Sequence, residues 1–200
     1  NEIKLYILIF FIYAVAGWIM ESTSISIRNK KFVNRGFLIG PVCPIYGYGV
    51  VLVSILLHKY QDDMIITFFM SIIICGLLEY FTSFFMEKIF NARWWDYSTR
   101  KFNINGRICL ETLIPFGIAG TFIIYVANPF LLKYINMIPQ TVMNVLIITF
   151  LVIYFIDILF ATAMLTYILY DRTLGIVIYA ILFIIVFIFV LKTNIIINHN

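Results

Sequence analysis

The chain has 200 residues, 63% of them hydrophobic and only 12% charged, with a formal net charge of +4 and a mean hydropathy of +1.02. A soluble domain of this length cannot bury that much apolar surface, and the apolar runs are continuous rather than alternating, which argues against a barrel of strands. What remains is an all-α, polytopic membrane protein, because helices satisfy their own backbone in lipid.

Six spans are read in chain order. The first covers Leu5 to about Met20, and its helix continues to Arg28. Lys4 and the apolar run behind it mimic a signal peptide, but no small-residue cleavage site follows and Glu21 leads into a basic loop. The second span runs from Gly36 to Leu57 and the third from Met64 to Phe85. A long polar stretch, "FNARWWDYSTRKFNINGRICLE" (90–111), then overlaps the start of the fourth span, Ile108 to Leu132. The fifth runs from Val142 to Leu169 and holds Asp157 near its middle; the sixth, Leu174 to Leu191, has no polar group except Tyr179. Each apolar core is close to the ~20 residues that cross a hydrocarbon layer.

Charge sets the orientation. Connections after odd-numbered spans hold ten of the fourteen basic residues, from Arg28 to Arg172, and the other side holds Lys4, Lys59, Lys133 and Lys192. By the positive-inside rule the ten face the cytoplasm and both termini face outward, in the cytoplasmic membrane. The positive charge is therefore a topology signal, and no nucleic-acid partner is expected. Cys43, Cys75 and Cys109 fall toward the cytoplasmic half of spans, with no metal-ligand spacing, and His58 and His199 lie on the other side. Neither a metal nor a cofactor is expected.

An internal repeat organises the polar residues. "NRGFLIGPVCPIYGYG" from Asn34 matches "NGRICLETLIPFGIAG" from Asn105 at an offset of 71, aligning Pro44 with Pro115 and Gly49 with Gly120. Upstream, "ESTS" at Glu21 matches "EYFTS" at Glu79 at an offset of 58, so the second copy carries about thirteen extra loop residues, "WWDYS" among them. The single transmembrane domain then divides into a unit at about 5–57, a second at about 64–132, and additional spans at 142–169 and 174–191. Each unit is a helix ending in a glutamate, a basic loop and a proline-broken helix. The units share one orientation, as in parallel transporter repeats.

The repeat places ionisable groups at one depth. Gly17, Glu21, Ser24 and Arg28 share one face of the first helix, and Cys75, Glu79, Ser83 and Glu87 share one face of the third. Arg35 and Arg107 open the broken helices, with Glu111 expected as an i to i+4 partner of Arg107. A charge inside a span costs at least ~2.5–3.5 kcal/mol and normally faces a partner or a wet cavity. Together these groups imply a charged vestibule open to the cytoplasm. Each also has a plainer reading. Glu21 and Glu79 reach headgroup water, Arg35 and Arg107 serve as topology anchors, Trp94 and Trp95 form an interfacial belt, and Asp96, Tyr97 and Ser98 make a capped turn. Asp157 sits where a lone carboxylate is costliest. It is either an ion or proton site or a neutral acid hydrogen-bonded for packing, and no partner is identifiable from sequence.

"KKFVNRGFLIGPVCPIYGYG", "EYFTSFFMEKIF" and "WWDYSTRKFNINGRICLE" together resemble the bacterial ABC-transporter type IV, or CmpB-like, permease family, over roughly residues 5 to 130. The resemblance implies a family pattern that includes Glu21, Asn34, Arg35, Gly40, Pro41, Cys43, Pro44, Tyr46, Glu79, Trp95, Asp96, Tyr97, Asn103, Asn105, Arg107 and Gly117. It implies transport, but no Walker motif is present, so ATP hydrolysis would need a separate subunit.

Three functional readings stand. In the first, a transport component, Glu21, Glu79, Glu111 and Asp157 couple ions or protons. Arg35 and Arg107 neutralise them or hold an anion, with Tyr46, Trp95, Asp96, Asn103 and Asn105 lining the substrate site. In the second, a membrane-embedded enzyme on a lipid-linked phosphate, the arginines bind phosphate and Glu111 or Asp96 is the base, with Tyr97, Ser98 or Cys43 nearby. In the third, an accessory subunit, the cluster docks a separate ATPase or other membrane protein. Membrane lipids are partners in all three. Residues 90 to 111 are expected to form a cytoplasmic lid.

Overall fold

The computed structural model describes residues 2–169 and, beyond them, Val177, Ala180 and Ile181. Its elements are helices α1 (Glu2–Asn29), α2 (Pro44–Leu56) and α3 (Met64–Phe90), the strands β1 (Asn103–Ile104) and β2 (Ile108–Cys109), then α4 (Leu110–Phe122), α5 (Asn128–Ile135) and α6 (Gln140–Leu169). A π turn at Ile123–Ala127 joins α4 to α5. Four segments are long and apolar enough to cross a membrane: Glu2–Asn29, Met64–Phe90, Leu110–Ile135 and Gln140–Ile168. In none is more than 28% of the most apolar stretch packed inside the protein. Side chains such as Ile73, Phe81, Phe122 and Phe155 point outward, a surface suited to lipid and far too apolar for water.

The second predicted span needs correction. Helix begins at Pro44, not Gly36, and its 13 residues reach only about 20 Å at the usual helical rise. Pro44 occupies the first helical turn, where its missing N–H costs nothing, and it holds Cys43 extended at φ −109°, ψ 93°. Pro44 therefore opens a helix and does not break one. Pro115 does lie inside its helix, and the irregularity of that segment comes a turn or two later, at the π turn. The sixth predicted span lies outside the described residues except for Val177, Ala180 and Ile181.

The described residues form two compact units, those up to Gly36 with Pro41–Ile148, and Phe37–Gly40 with those from Thr149 onward. In the first, α1 packs on α2, α2 on α3 and α3 on α4. Glycines set these contacts: a Cβ at Gly47 would strike the carbonyl and ring of Phe10, and one at Gly117 would strike the Phe68 ring. The core gathers Val53, Leu57, Ile74 and Ile124, with Met70, Cys75 and Tyr125 packed against it. Inside it, Asn128 accepts from the Tyr13 hydroxyl at 3.0 Å and donates to Ser54 Oγ at 2.8 Å, tying α5 to α1 and α2. Asp63 caps α3 by accepting from the Ile65 and Ile66 amides, and Asn91 ends it in the left-handed conformation at φ 52°.

Candidate functional site

In the first unit two glutamates, one on α1 and one on α3, each receive a tyrosine hydroxyl. Tyr46, at the start of α2, donates to Glu21 Oε1 at 2.5 Å. Tyr97, from the loop after α3, donates to Glu79 Oε1 at 3.1 Å. Thr112 Oγ1 lies 3.4 Å from the other Glu79 oxygen and 2.9 Å from the carbonyl of Cys109, so its single proton serves one of the two at a time. Glu79 is 5% exposed and has no cationic partner within salt-bridge distance among the described residues. Glu21 is less enclosed, and Arg35 Nε stands 3.6 Å from it.

Local chemistry explains how each tyrosine and arginine arrives. After α1, the basic loop folds back on two serines one turn apart. Ser22 Oγ accepts from the Arg35 amide at 3.1 Å and Ser26 Oγ from the Val33 amide at 2.9 Å. Trp18 Nε1 donates to Asn34 Oδ1 at 2.5 Å, and the Cys43 amide donates to the Ala14 carbonyl at 2.9 Å. A Cβ at Gly17 would overlap the Tyr46 ring, so the missing side chain lets the phenol approach α1 and reach Glu21.

The loop after α3 is built on an Asn-Gly turn. Ile104 accepts from the Arg107 amide at 3.0 Å, with Asn105 at φ 53° and Gly106 at φ 67°. Positive φ at both central residues is what Asn-Gly supplies, and it lets β1 pair with β2, Ile104 opposite Ile108. Gly106 has a second reason to be glycine: a Cβ there would meet Asp96 Oδ1 at 2.6 Å. Asp96 Oδ1 accepts from the Ser98 amide at 2.9 Å, Asn103 Oδ1 from the Gly106 amide at 3.0 Å, and the Gly106 carbonyl from the Tyr97 amide at 2.7 Å. These bonds fix Tyr97 over Glu79. The Ser98 amide holds the Asp96 carboxyl below its ordinary range. Burial, followed by the charges of Glu79 and Glu21, raises the Tyr97 phenol above its own.

Several predicted residues land elsewhere. Arg107 does not pair with Glu111, because helix starts only at Leu110 and the i to i+4 geometry does not exist. Its guanidinium, in a residue 9% exposed, meets Glu87 Oε2 at 2.5 Å and Ser83 Oγ at 3.2 Å, against the rings of Tyr80 and Phe84. Glu87 also takes Arg93 Nε at 3.0 Å. Glu111 pairs with Arg100 at 2.9 Å on an exposed rim. Trp95 Nε1 donates to the Arg107 carbonyl, so this tryptophan ties the start of the loop to its end. Trp94 packs edge-on against Phe90, and Asn105 Nδ2 donates to the Tyr80 hydroxyl at 2.8 Å. Ser24, expected beside Glu21, is exposed, and the buried neighbour is Ser22.

An open recess of about 570 Å³, lined by Glu2, Tyr6, Ile55, Leu56, His58 and Lys59, lies at the opposite ends of α1 and α2. Thr112, Ser22, Ser26 and Tyr80 were missed by sequence reasoning. Only the Ser22–Ser26 spacing, one turn apart on the helix leading into the loop, carried a usable signal.

In the second unit Asp157 finds partners that no side-chain pattern could reveal. Its two oxygens accept from the successive amides of Ile39 and Gly40, each at 2.9 Å. A Cβ at Gly40 would meet Asp157 Oδ2 at 2.7 Å.

No curated protein matches this chain, and no solved structure does. The family described as Putative ABC-transporter type IV matches residues 8–162, further than the motifs quoted above extend and far enough to include Asp157. The chain belongs to that family.

Proposed function

We propose that the protein is a component of a membrane transport system that carries protons or small cations past the twin acid–phenol pairs, Glu21–Tyr46 and Glu79–Tyr97. One observation carries the reading: among the described residues Glu79, 5% exposed, has hydroxyl partners and no cation within salt-bridge distance. Arginines neutralise acids permanently, whereas hydroxyls can release a carboxylate to a passing ion, and intramembrane acids of this type mark ion and proton pathways. Both arginines expected to bind phosphate already hold carboxylates, so no observation favours the enzyme reading.

Two parallel units, six spans, cytoplasmic loops after spans 1, 3 and 5, and outward termini in the cytoplasmic membrane belong to the same proposal. Its support is the pairing of α1 with α2 and α3 with α4, and the recurrence of a phenylalanine–glycine contact, Phe10–Gly47 and Phe68–Gly117. At the offset of 71 that relates the broken helices, Tyr46 falls on Gly117. The second unit lacks a helical tyrosine there, and the extra loop residues supply Tyr97 in its place. On this reading α2 and residues 36–43 together make the second crossing, and just before α2 the non-helical Cys43 amide is satisfied by the Ala14 carbonyl of α1, as lipid requires.

Thermal stability in detergent tests the site. A ligand at one hundred times its Kd stabilises by about 2.7 kcal/mol, so wild-type Tm should rise with one of Li⁺, Na⁺, K⁺ or H⁺. Glu79→Gln should lose that rise. Equal responses in both proteins would remove the site from Glu79.

A further inference from the structure

The two basic loops share a feature that the acid–phenol site does not use. One carries Lys30-Lys31-Phe32 and the other Arg100-Lys101-Phe102. Each triplet ends in one of the most exposed large hydrophobic residues among those described, Phe32 at 75% and Phe102 at 80%. Each tip turns through a left-handed residue, Lys30 at φ 50° in one and Phe102 at φ 52° in the other. A bulky residue seldom adopts that conformation, and in the second tip it is the phenylalanine itself. Phe32 lies three residues beyond the end of α1, and Phe102 follows closely on Arg100, which pairs with Glu111 in the first turn of α4; α1 and the segment that α4 opens are both apolar enough to cross a membrane. Of the six residues only Arg100 has a carboxylate partner among the described residues, Glu111.

We infer that these tips are a pair of anchors for an anionic lipid surface, each phenylalanine entering the interfacial layer while its two cations meet phosphate headgroups. A ring flanked by long basic side chains has the amphipathic form that the interface favours. Charge complementarity selects the lipid: a basic residue near an anionic leaflet adds about fivefold to binding, and a zwitterionic surface offers no such gain. The inference rests on the membrane placement proposed above and is independent of whether Glu79 handles ions.

The test uses the full protein with 4-fluorophenylalanine at position 32 or 102, in nanodiscs with or without phosphatidylglycerol. Fluorine relaxation is read with dissolved oxygen, which concentrates in lipid, and with a water-soluble nickel chelate. Position 81, on the outward surface of α3, gives the lipid reference, and free 4-fluorophenylalanine gives the water reference. The expected oxygen-to-nickel ratio at both tips in anionic discs is within about twofold of the lipid reference. It should fall severalfold toward the water value in zwitterionic discs and in Lys30→Gln/Lys31→Gln or Lys101→Gln, read at the adjacent ring. A water-like ratio in anionic discs overturns the inference and points to a protein-docking surface. Equal immersion in both lipids overturns the headgroup part. Topology is checked apart, by an impermeant amine reagent that should reach Lys31 and Lys101 in inverted vesicles but not in intact cells.

Discussion

At the scale of single residues, the Glu79 site is held by the Tyr97 and Thr112 hydroxyls. Glu79→Ala would leave the Tyr97 hydroxyl unpaired above a buried hole, at a cost of roughly 1–3 kcal/mol. Glu79→Gln keeps an acceptor and should cost less, an ordering that thermal denaturation in detergent can check. Gly106→Ala combines a left-handed φ with a Cβ driven into Asp96, and strain of this kind costs on the order of 1–3 kcal/mol. Hydrogen exchange should rise across residues 96–109 and stay unchanged in α1. Asp96 gives a pH signature. Its folded pKa lies below the ordinary aspartate value, so its contribution is complete above about pH 4 and is lost as pH falls through the folded pKa. Exchange at the Ser98 and Gly106 amides should accelerate over that acid window, beyond the intrinsic pH effect, and Asp96→Asn should flatten the dependence. Tyr97 runs the other way: a raised phenol pKa keeps its contribution whole below about pH 10.

At the scale of elements, sequence and structure agree where one helix face carries the information. Glu79, Ser83 and Glu87 were legible as neighbours because 4, 4 spacing puts them on one side of α3, and all three engage the loop or Arg107. Agreement fails where an element begins later than its apolar run. Gly36–Cys43 is as apolar as a span, yet Pro41 within it, Pro44 just after it and a glycine at φ 126° keep it from being helix. The Arg107–Glu111 pairing failed for the same reason, since the residues before Leu110 belong to a hairpin turned at Asn105-Gly106. Asp157 could not be matched at all, because its partners are backbone amides and amides carry no residue signature. Tyr46 and Tyr97 were named as candidates but not as partners of the acids, since nothing in a chain with thirteen tyrosines says which of them meet carboxylates. One prediction belongs at this scale. Gly47→Val would force side-chain bulk into the Phe10 carbonyl as well as its flexible ring, and backbone cannot yield cheaply. Loss of monodisperse protein on size exclusion is expected, while Gly49→Ala, whose Cβ meets only ordinary contacts at 3.6 and 3.9 Å, should be tolerated.

At the scale of the whole molecule, the apolar exterior and the family membership fix what kind of protein this is, and the proposed ion pathway rests on the acid–phenol pairs. A full transport cycle would need whatever partner supplies energy, but ion entry to the site would not. The most direct measurement is therefore charge displacement on solid-supported membranes after a jump in pH or cation concentration. Wild type, Glu79→Gln, Tyr97→Phe and the double variant would be compared. A transient in wild type is predicted, weakened in Tyr97→Phe and abolished in Glu79→Gln, with the double variant no worse than Glu79→Gln alone. An undiminished transient in Glu79→Gln, or none in wild type for any ion, would contradict the account.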